Sequence, residues 1–337
     1  MTGPQTSPTL DDVARAAGVS RSTASRAING GSRVSPEAQA AVDDAIARLG
    51  YAPNRAARSL VTRRTGSIAL VVPEPDARIL TDPFLAGVLR GVSQALVGTD
   101  LQLVLLIARP DERPGGPARY LRSGHVDGAV VASHHREDRL EDQLADGRLP
   151  VVFVGRPFDD RNLPYVDVDN VAGGRTAAER LLGRGCRSIA TITGPLDMTA
   201  ALDRLDGWRA ALEEAGLAAD LVADGDFTVE GGARAMDRLL AEHPQIDGVF
   251  AASDLMATGA MQVLQAAGRR IPEDVAVVGY DALGAAERTS PRLTTLRNPV
   301  VEMVSAATAV LLDAVEGHPA PAAPRILVPE LVEGGTA

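Results

Sequence analysis

Seven short apolar runs spaced along the chain limit its fold more than any other feature. They are SIALVVP (67–73), LQLVLLI (101–107), GAVVA (128–132), PVVFVG (150–155), SIATIT (188–193), GVFAA (248–252) and VAVVG (275–279). Most are continuously apolar rather than alternating, as expected of parallel strands buried on both faces. Segments with helical apolar spacing lie between them, at 84–96, 170–182, 204–215, 229–240 and 255–267. The alternation predicts βαβ units with right-handed crossovers, and so an α/β layered architecture. The spacing predicts two such units, 66–165 and 166–292. LTTLRNP (293–299), a helix over 300–316 and a last strand over 325–331 then follow.

A different pattern precedes them. In TLDDVARAAGVSRSTASRAING, Leu10, Val13, Ala14 and Ala17 recur at i, i+3, i+4 and i+7, which places one apolar stripe on a first helix. Thr9 followed three residues later by Asp12 suits a capping box. Gly18 stops that helix, Val19 is available to pack between helices, and Ser20 suits the cap of a second helix running to about Ala27. On the second helix Ala24, Ala27 and Ile28 share one face, and Arg21, Ser22, Ser25 and Arg26 share the other, with Asn29 at its end. An apolar side clamped to a partner and a short cationic side fit a recognition helix, whose arginines pair with guanine edges in the major groove. An ordinary helical hairpin with a solvated face gives the same pattern.

The next segment, SPEAQAAVDDAIARLG (35–50), has Ser at the N-cap, Pro at the first helical position and a closing Gly, so a third helix covers the first two. In YAPNRAARSL (51–60), Pro53 breaks the chain, Asn54 is placed to cap, and residues 55–60 form a helix too short to be stable alone.

Taken together, GVSRSTASRAING, RVSPEAQAAVDDAIARLGYAPN and NRAARSL resemble the headpiece of the lactose-repressor/galactose-repressor family of bacterial transcription regulators. The resemblance implies that Arg21, Ser22 and Arg26 read bases and that Thr23, Ser25 and Asn29 grip phosphates. It also implies a hinge helix over 54–60 whose Asn54, Arg55, Arg58 and Leu60 meet DNA, with Leu60 wedged into the minor groove. Ala24 departs from the valine usual in the family. The resemblance extends beyond Ser7 over nearly the whole chain and implies a periplasmic-binding-protein-like core of two parallel-sheet lobes. The expected organisation is a headpiece over 1–50, a hinge over 51–65, a first lobe over 66–165 plus 293–324, and a second lobe over 166–292 plus 325–337.

Charge agrees with this division. All 34 basic residues are arginine, and residues 1–64 hold nine of them against five acids, a net of +4. By difference from the 34 basic and 44 acidic residues of the chain, the remainder carries 25 and 39, a net of −14. An acidic body is repelled by DNA, which confines contact to the cationic head and makes binding salt dependent.

Ligands of open α/β sheets bind beyond the carboxyl ends of the strands. Asp82 and Phe84 follow the first run, Arg156 the fourth, Asp197 and Arg204 the fifth, Ser253 and Asp254 the sixth, and Asp281 the seventh. The resemblance is closest at DRLDGW and GYDALGAAERTSPRLTTL. It implies that Arg204 and Asp281 bind the effector, that Ser253 adds a polar ligand, and that Phe227 supplies an aromatic wall. An arginine fork beside a carboxylate suits paired hydroxyls, and a flat ring suits the apolar face of a sugar. Asp82, Asp197 and Asp254 suit helix caps equally well, Arg156 a surface ion pair, and Trp208 the core.

Other chemistries find little support. The five histidines form no ligand-spaced cluster, and His134 and His135, in SHHRED, are expected to be solvated. Without lysine no Walker-type phosphate loop is possible, and no G-x-S-x-G elbow occurs. No cofactor or metal is expected. The first residues lack a signal-peptide pattern, no long apolar span occurs, and the single Cys186 permits no internal disulfide, which together point to the cytoplasm. No leucine heptads follow Leu331, so no added coiled coil is expected. The expectation is a dimeric repressor of carbohydrate uptake or catabolism genes, bound to a palindromic operator under the control of a sugar. A solute-binding protein and an α/β enzyme are the alternatives with the same core architecture.

Overall fold

A computed structural model describes residues 8–28, 34–51, 64–107, 115–145, 147–159 and 162–337. Residues 1–7, Asn29 and the hinge residues Asn54, Arg55, Arg58 and Leu60 lie outside the described residues. The chain divides into two compact units, one ending at Gly66 and one starting at Ser67.

In the first unit, α1 (Leu10–Ala16) begins with the capping box: Thr9 Oγ1 accepts from the Asp12 amide, and the Asp12 carboxylate accepts from the Thr9 amide at 3.0 Å. Helix α2 (Arg21–Ile28) starts from Ser20, whose Oγ accepts from the Thr23 amide at 3.1 Å. Ser35 caps α3 (Pro36–Leu49), and Gly50 ends it in the left-handed region, where a side chain would be strained. Val13, Ala14, Ala24, Ala27, Val42 and Ala45 are buried between the three helices, and Val19 packs against them.

In the second unit, β1 (Ser67–Val72), β2 (Gln102–Ile107), β3 (Gly128–Ala132), β4 (Val151–Val154), β5 (Tyr165–Val168) and β11 (Arg325–Leu327) form one parallel sheet in the order β11-β5-β4-β3-β1-β2. A second sheet has the order β12-β10-β9-β8-β6-β7. It contains β6 (Ile189–Thr193), β7 (Val222–Asp224), β8 (Gly248–Ala251), β9 (Ala276–Asp281), β10 (Thr294–Arg297) and an antiparallel edge strand β12 (Glu330–Val332).

Helices cover both sheets. Around the first lie α4 (Asp76–Thr81), α5 (Pro83–Ala95), α6 (Gly116–Arg122), α7 (Leu140–Leu144) and α12 (Val300–Glu316). With the second lie α8 (Asn170–Gly183), α9 (Thr199–Glu214), α10 (Val229–Glu242) and α11 (Asp254–Ala266). Trp208 is fully buried in the second lobe, as expected of a core residue.

The chain therefore crosses between lobes three times, and each crossing differs from the expected boundary. Residues 165–168 belong to the first sheet, where Tyr165 and Val166 pair with Phe153 and Val154, so the first crossing follows Val168. Thr294–Arg297, expected in the first lobe, pairs with β9 and β12 in the second. The single last strand expected over 325–331 is two short ones, β11 in the first sheet and β12 in the second. Strands of three or four residues are located by the sheet edge that can accept their hydrogen bonds, which local hydropathy does not report.

Candidate effector cleft and DNA-reading helix

The carboxyl ends of both sheets face one another across a cleft. Arg204, Asp281, Phe227, Ser253, Asp82 and Phe84, six of the seven expected effector residues, line one cavity of about 60 Å³ there. A further cavity of about 50 Å³ shares Phe84 and Arg204 with it.

Arg204 holds the centre. It is 5% exposed, and its Nε donates to Asn170 Oδ1 at 2.9 Å and its Nη1 to the Ala252 carbonyl at 2.6 Å. Its guanidinium lies 3.6 Å from the Tyr280 ring centroid. Helix α8 presses on α9 at this point: a Cβ at Gly174 would strike the Arg204 carbonyl, so only glycine permits the approach.

Asp281 ends β9 beside it, and Asn298 Nδ2 donates to its carboxylate at 3.3 Å. Burial pushes the Asp281 carboxyl up to about 7; Arg204 opposes the shift and Asp82 adds to it. A group poised there changes its charge readily when a ligand or a neighbour changes the local field.

Phe227 supplies the wall. Its ring lies against Gly194, where a Cβ would run into it, and has the Arg78 and Arg204 guanidinium groups at 5.7 and 5.9 Å. Ser253 caps α11, its Oγ accepting from the Met256 amide at 3.2 Å; the hydroxyl proton remains to be donated. Asp82 caps α5, accepting from the Phe84 amide at 2.9 Å, and burial raises its pKa. Ser133, Phe227 and Asp281 have φ of 56°, 60° and 120°, sparsely populated values for residues with a side chain. Such strain gathers at ligand sites.

Arg156, the seventh expected residue, is not brought into this cavity. Its Nε and Nη2 bind the Asp203 carboxylate at 3.1 and 2.6 Å, joining the first lobe to α9. The ion-pair reading holds there because Asp203 stands one residue from Arg204 on the helix that the strand end faces. Asp254 is no helix cap: it accepts from Thr295 Oγ1 at 2.6 Å and the Ala282 amide at 2.8 Å, tying α11 to β10 and to the loop after β9.

His134 and His135 are not free in solvent. His134 is 4% exposed, in edge contact with the rings of Phe153 and Phe158, with Nε2 3.1 Å from Glu141. His135 stands between Glu74 and Asp197. Sequence reasoning also missed Arg78, which binds Glu74 at 3.0 Å and Asp82 at 3.4 Å, and Ser133, Met198, Ala200 and Leu255, which complete the cavity. Arg78 carried a faint signal, as an arginine spaced i+4 from Glu74 and i−4 from Asp82 in PEPDARILTD.

In the headpiece, Arg21, Ser22 and Arg26 form an exposed face on α2, with Thr23 and Ser25 partly buried beside them. Arg21 is 3.3 Å from Asp11, and Arg26 Nε donates to the Ser22 carbonyl at 3.1 Å. Both arginines are held by contacts that phosphates or base edges can replace. Among the described residues, no helix is long and apolar enough to cross a membrane.

Comparison with known proteins adds an independent line. Residues 9–54 match the profile of bacterial regulatory proteins of the lacI family, and residues 178–337 that of a periplasmic binding protein-like domain. The HTH-type transcriptional regulator CelR of Thermobifida fusca is 48% identical over 318 residues, 92% of this chain and 93% of that protein. The ribose operon repressor of Escherichia coli K12 is 36% identical over 336 residues, 98% and 99% of the two chains.

Among solved structures, a complex of the transcriptional regulator CelR with cellobiose superposes with a TM-score of 0.78 at 43% identity, covering 98% of this chain and 100% of that one. The lac repressor dimer bound to operator and an anti-inducer superposes with a TM-score of 0.87 at 25% identity, covering 98% and 99%.

Proposed function

Because the chain belongs to the lacI family of bacterial regulatory proteins, we propose that it represses carbohydrate uptake or catabolism genes, binding a palindromic operator as a dimer under the control of a sugar. The relatives are regulators rather than enzymes or solute carriers, which sets both alternatives aside. The observation that carries the reading is the pairing, in one chain, of an exposed Arg21–Ser22–Arg26 face with a separate cleft built on Arg204, Asp281 and Phe227.

In this reading Arg21, Ser22 and Arg26 meet base edges, Thr23, Ser25 and Asn29 the backbone, and Asn54, Arg55, Arg58 and Leu60 the centre of the site. A dimer follows from the DNA side, because one headpiece reads only a half-site. It is supported on the protein side by β2, the edge strand of the first sheet, on which Leu105 is partly exposed. The cytoplasm is the compartment of such a protein.

Arg204 and Asp281 would hold neighbouring hydroxyls as donor and acceptor, Ser253 and Asp82 would add polar contacts, and Phe227 and Phe84 would pack on the ring. The cellobiose complex of the CelR regulator makes cellobiose the first sugar to test. Control follows by linkage: a sugar that prefers one arrangement of the lobes shifts the DNA affinity by its differential affinity for the two arrangements. DNase footprinting of the purified protein on its own upstream region should protect an inverted repeat. Uniform binding with no protected site would contradict the operator reading.

A further inference from the structure

Ser253 and Leu255 line the cavity, and Asp254 between them does not. Asp254 is 2% exposed, and both of its carboxylate oxygens are taken up behind the cavity wall: Oδ1 accepts from Thr295 Oγ1 at 2.6 Å, and Oδ2 from the Ala282 amide at 2.8 Å. Gly279 leaves the room for it. That glycine lies two residues before Asp281, on the same face of β9, and is level with Thr295 in the parallel register. A Cβ there would run into Asp254 Oδ1.

The Ala282 amide belongs to a strained turn. Asp281 and Ala282 are consecutive, with φ of 120° and 52°, in the region that side chains disfavour. Such a pair persists only where its surroundings fix it. Two groups do so here. Asn298 grips Asp281 itself, its amide donating to the Asp281 carbonyl at 3.0 Å and its Nδ2 to the carboxylate at 3.3 Å. The Asp254 carboxylate takes the next amide along the chain, and Thr295, three residues before Asn298, holds that carboxylate in turn.

We propose that Asp254 is a positioning residue: without touching the effector, it fixes the Asp281–Ala282 turn and so the place at which the Asp281 carboxylate meets the ligand. The proposal rests on the reading of Asp281 as an effector ligand. Thr295 serves the same end by orienting the Asp254 carboxylate, and Gly279 by making room for it.

Position has to be separated from charge. Burial and the Asp281 charge push the Asp254 carboxyl well above its ordinary range, and Glu287 adds to the shift. Asp281, at about 7, faces Arg204 on α9 and Asp82 at the start of α5 besides Asn298. Loss of Asp254 therefore acts on Asp281 through the field as well as through the turn. Asparagine distinguishes the two. Its carbonyl accepts from the Ala282 amide and its amide donates to the Thr295 hydroxyl, which accepts as well as donates. Asp254→Asn thus removes the acid and keeps both bonds, and Asp254→Ala removes the acid and the bonds together.

The experiment uses the full chain. The Asp281 carboxyl, assigned with Asp281→Asn in protein carrying isotope-labelled aspartate, is titrated by NMR without ligand. Cellobiose affinity is measured by calorimetry beside a thermal melt. The wild type and Asp254→Asn should both titrate near 7 and bind cellobiose within about threefold of one another. Asp254→Ala frees the turn and lets water reach the Asp281 carboxylate. It should titrate lower, toward the ordinary aspartate range, and bind more than about tenfold more weakly. Thr295→Val leaves Asp254 in place without its anchor. It should move both readouts in the same direction by less, and it carries the comparison if Asp254→Ala does not fold.

An Asp281 titration that is the same in the wild type and in the loosened variant, with only the melting temperature lowered, would make Asp254 a fold-stabilising residue and overturn the proposal. A shift in Asp254→Asn as large as that in Asp254→Ala would also overturn it, because charge and not position would be the cause. If cellobiose does not bind the wild type, the choice of sugar fails, and the Asp281 titration still decides the role of Asp254.

Discussion

Replacing Arg204 with methionine keeps most of the side-chain volume and removes the charge. The native guanidinium makes two buried hydrogen bonds and stacks on Tyr280. Hydrogen bonds to a charged group contribute about 1.5–3 kcal/mol each, and a desolvated cation–π contact about 2 kcal/mol. Relief from burying the cation returns part of this, so the net cost of breaking such a buried set is about 3–5 kcal/mol. In a unit of this size that lowers the melting temperature by roughly 10 °C. Asp281 loses the cation that opposes its upward shift, so its carboxyl titrates above about 7 and is mostly neutral at pH 7.

A sugar bound there would lose a charged donor and a charged acceptor together, at least about 3 kcal/mol, or over a hundredfold in affinity. Calorimetry with the effector, beside a thermal melt, separates the two effects. Arg204→Lys should be intermediate, because it keeps the charge and loses the fork. If Arg204→Met melted lower but bound the effector within about threefold of wild type, Arg204 would be a structural residue only.

Three further perturbations address separate parts of the proposal. Gly194→Ala should displace the Phe227 ring and weaken effector binding more than tenfold, and in a Phe227→Ala background the same change should cost almost nothing; additive losses would refute the seat. Arg26→Ala should relax base preference at one position per half-site by about 1–3 kcal/mol, measured by binding to a set of substituted duplexes; unchanged preference would remove Arg26 from base reading. Leu60→Ala should weaken operator binding and reduce DNA bending in a gel-shift bend assay while leaving effector affinity unchanged; undiminished bending would refute the wedge.

The elements that were legible in the sequence are those whose physics is local. Thr9 with Asp12, and Ser35 with Pro36 and Gly50, specify helix ends through groups a few residues apart. The apolar runs specify strands because a strand buried on both faces needs no alternation. Arg204, Asp281, Phe227 and Ser253 were legible as strand-end or loop residues of the right chemistry, helped by the family pattern.

What escaped was set by tertiary geometry. Arg78 and Ser133 line the cavity, and His135 meets Asp197, only when the first sheet faces the second. Arg156 leaves it because Asp203 is closer. The first turn of α9 has no side-chain cap at Met198, so its start at Thr199 carried no local signal. The strands β5, β10, β11 and β12 owe their places to partners far along the chain.

The central claim, that a sugar in the cleft governs DNA binding by the headpiece, is tested most directly by titrating the full chain onto a fluorescent duplex from its own upstream region, with and without saturating cellobiose and a panel of other mono- and oligosaccharides. The expected result is a salt-dependent, saturable isotherm that one sugar shifts by tenfold or more, about 1.4 kcal/mol, with the shift abolished in Arg204→Met. An isotherm that no sugar in the panel moves, from a protein that binds the duplex normally, would contradict it.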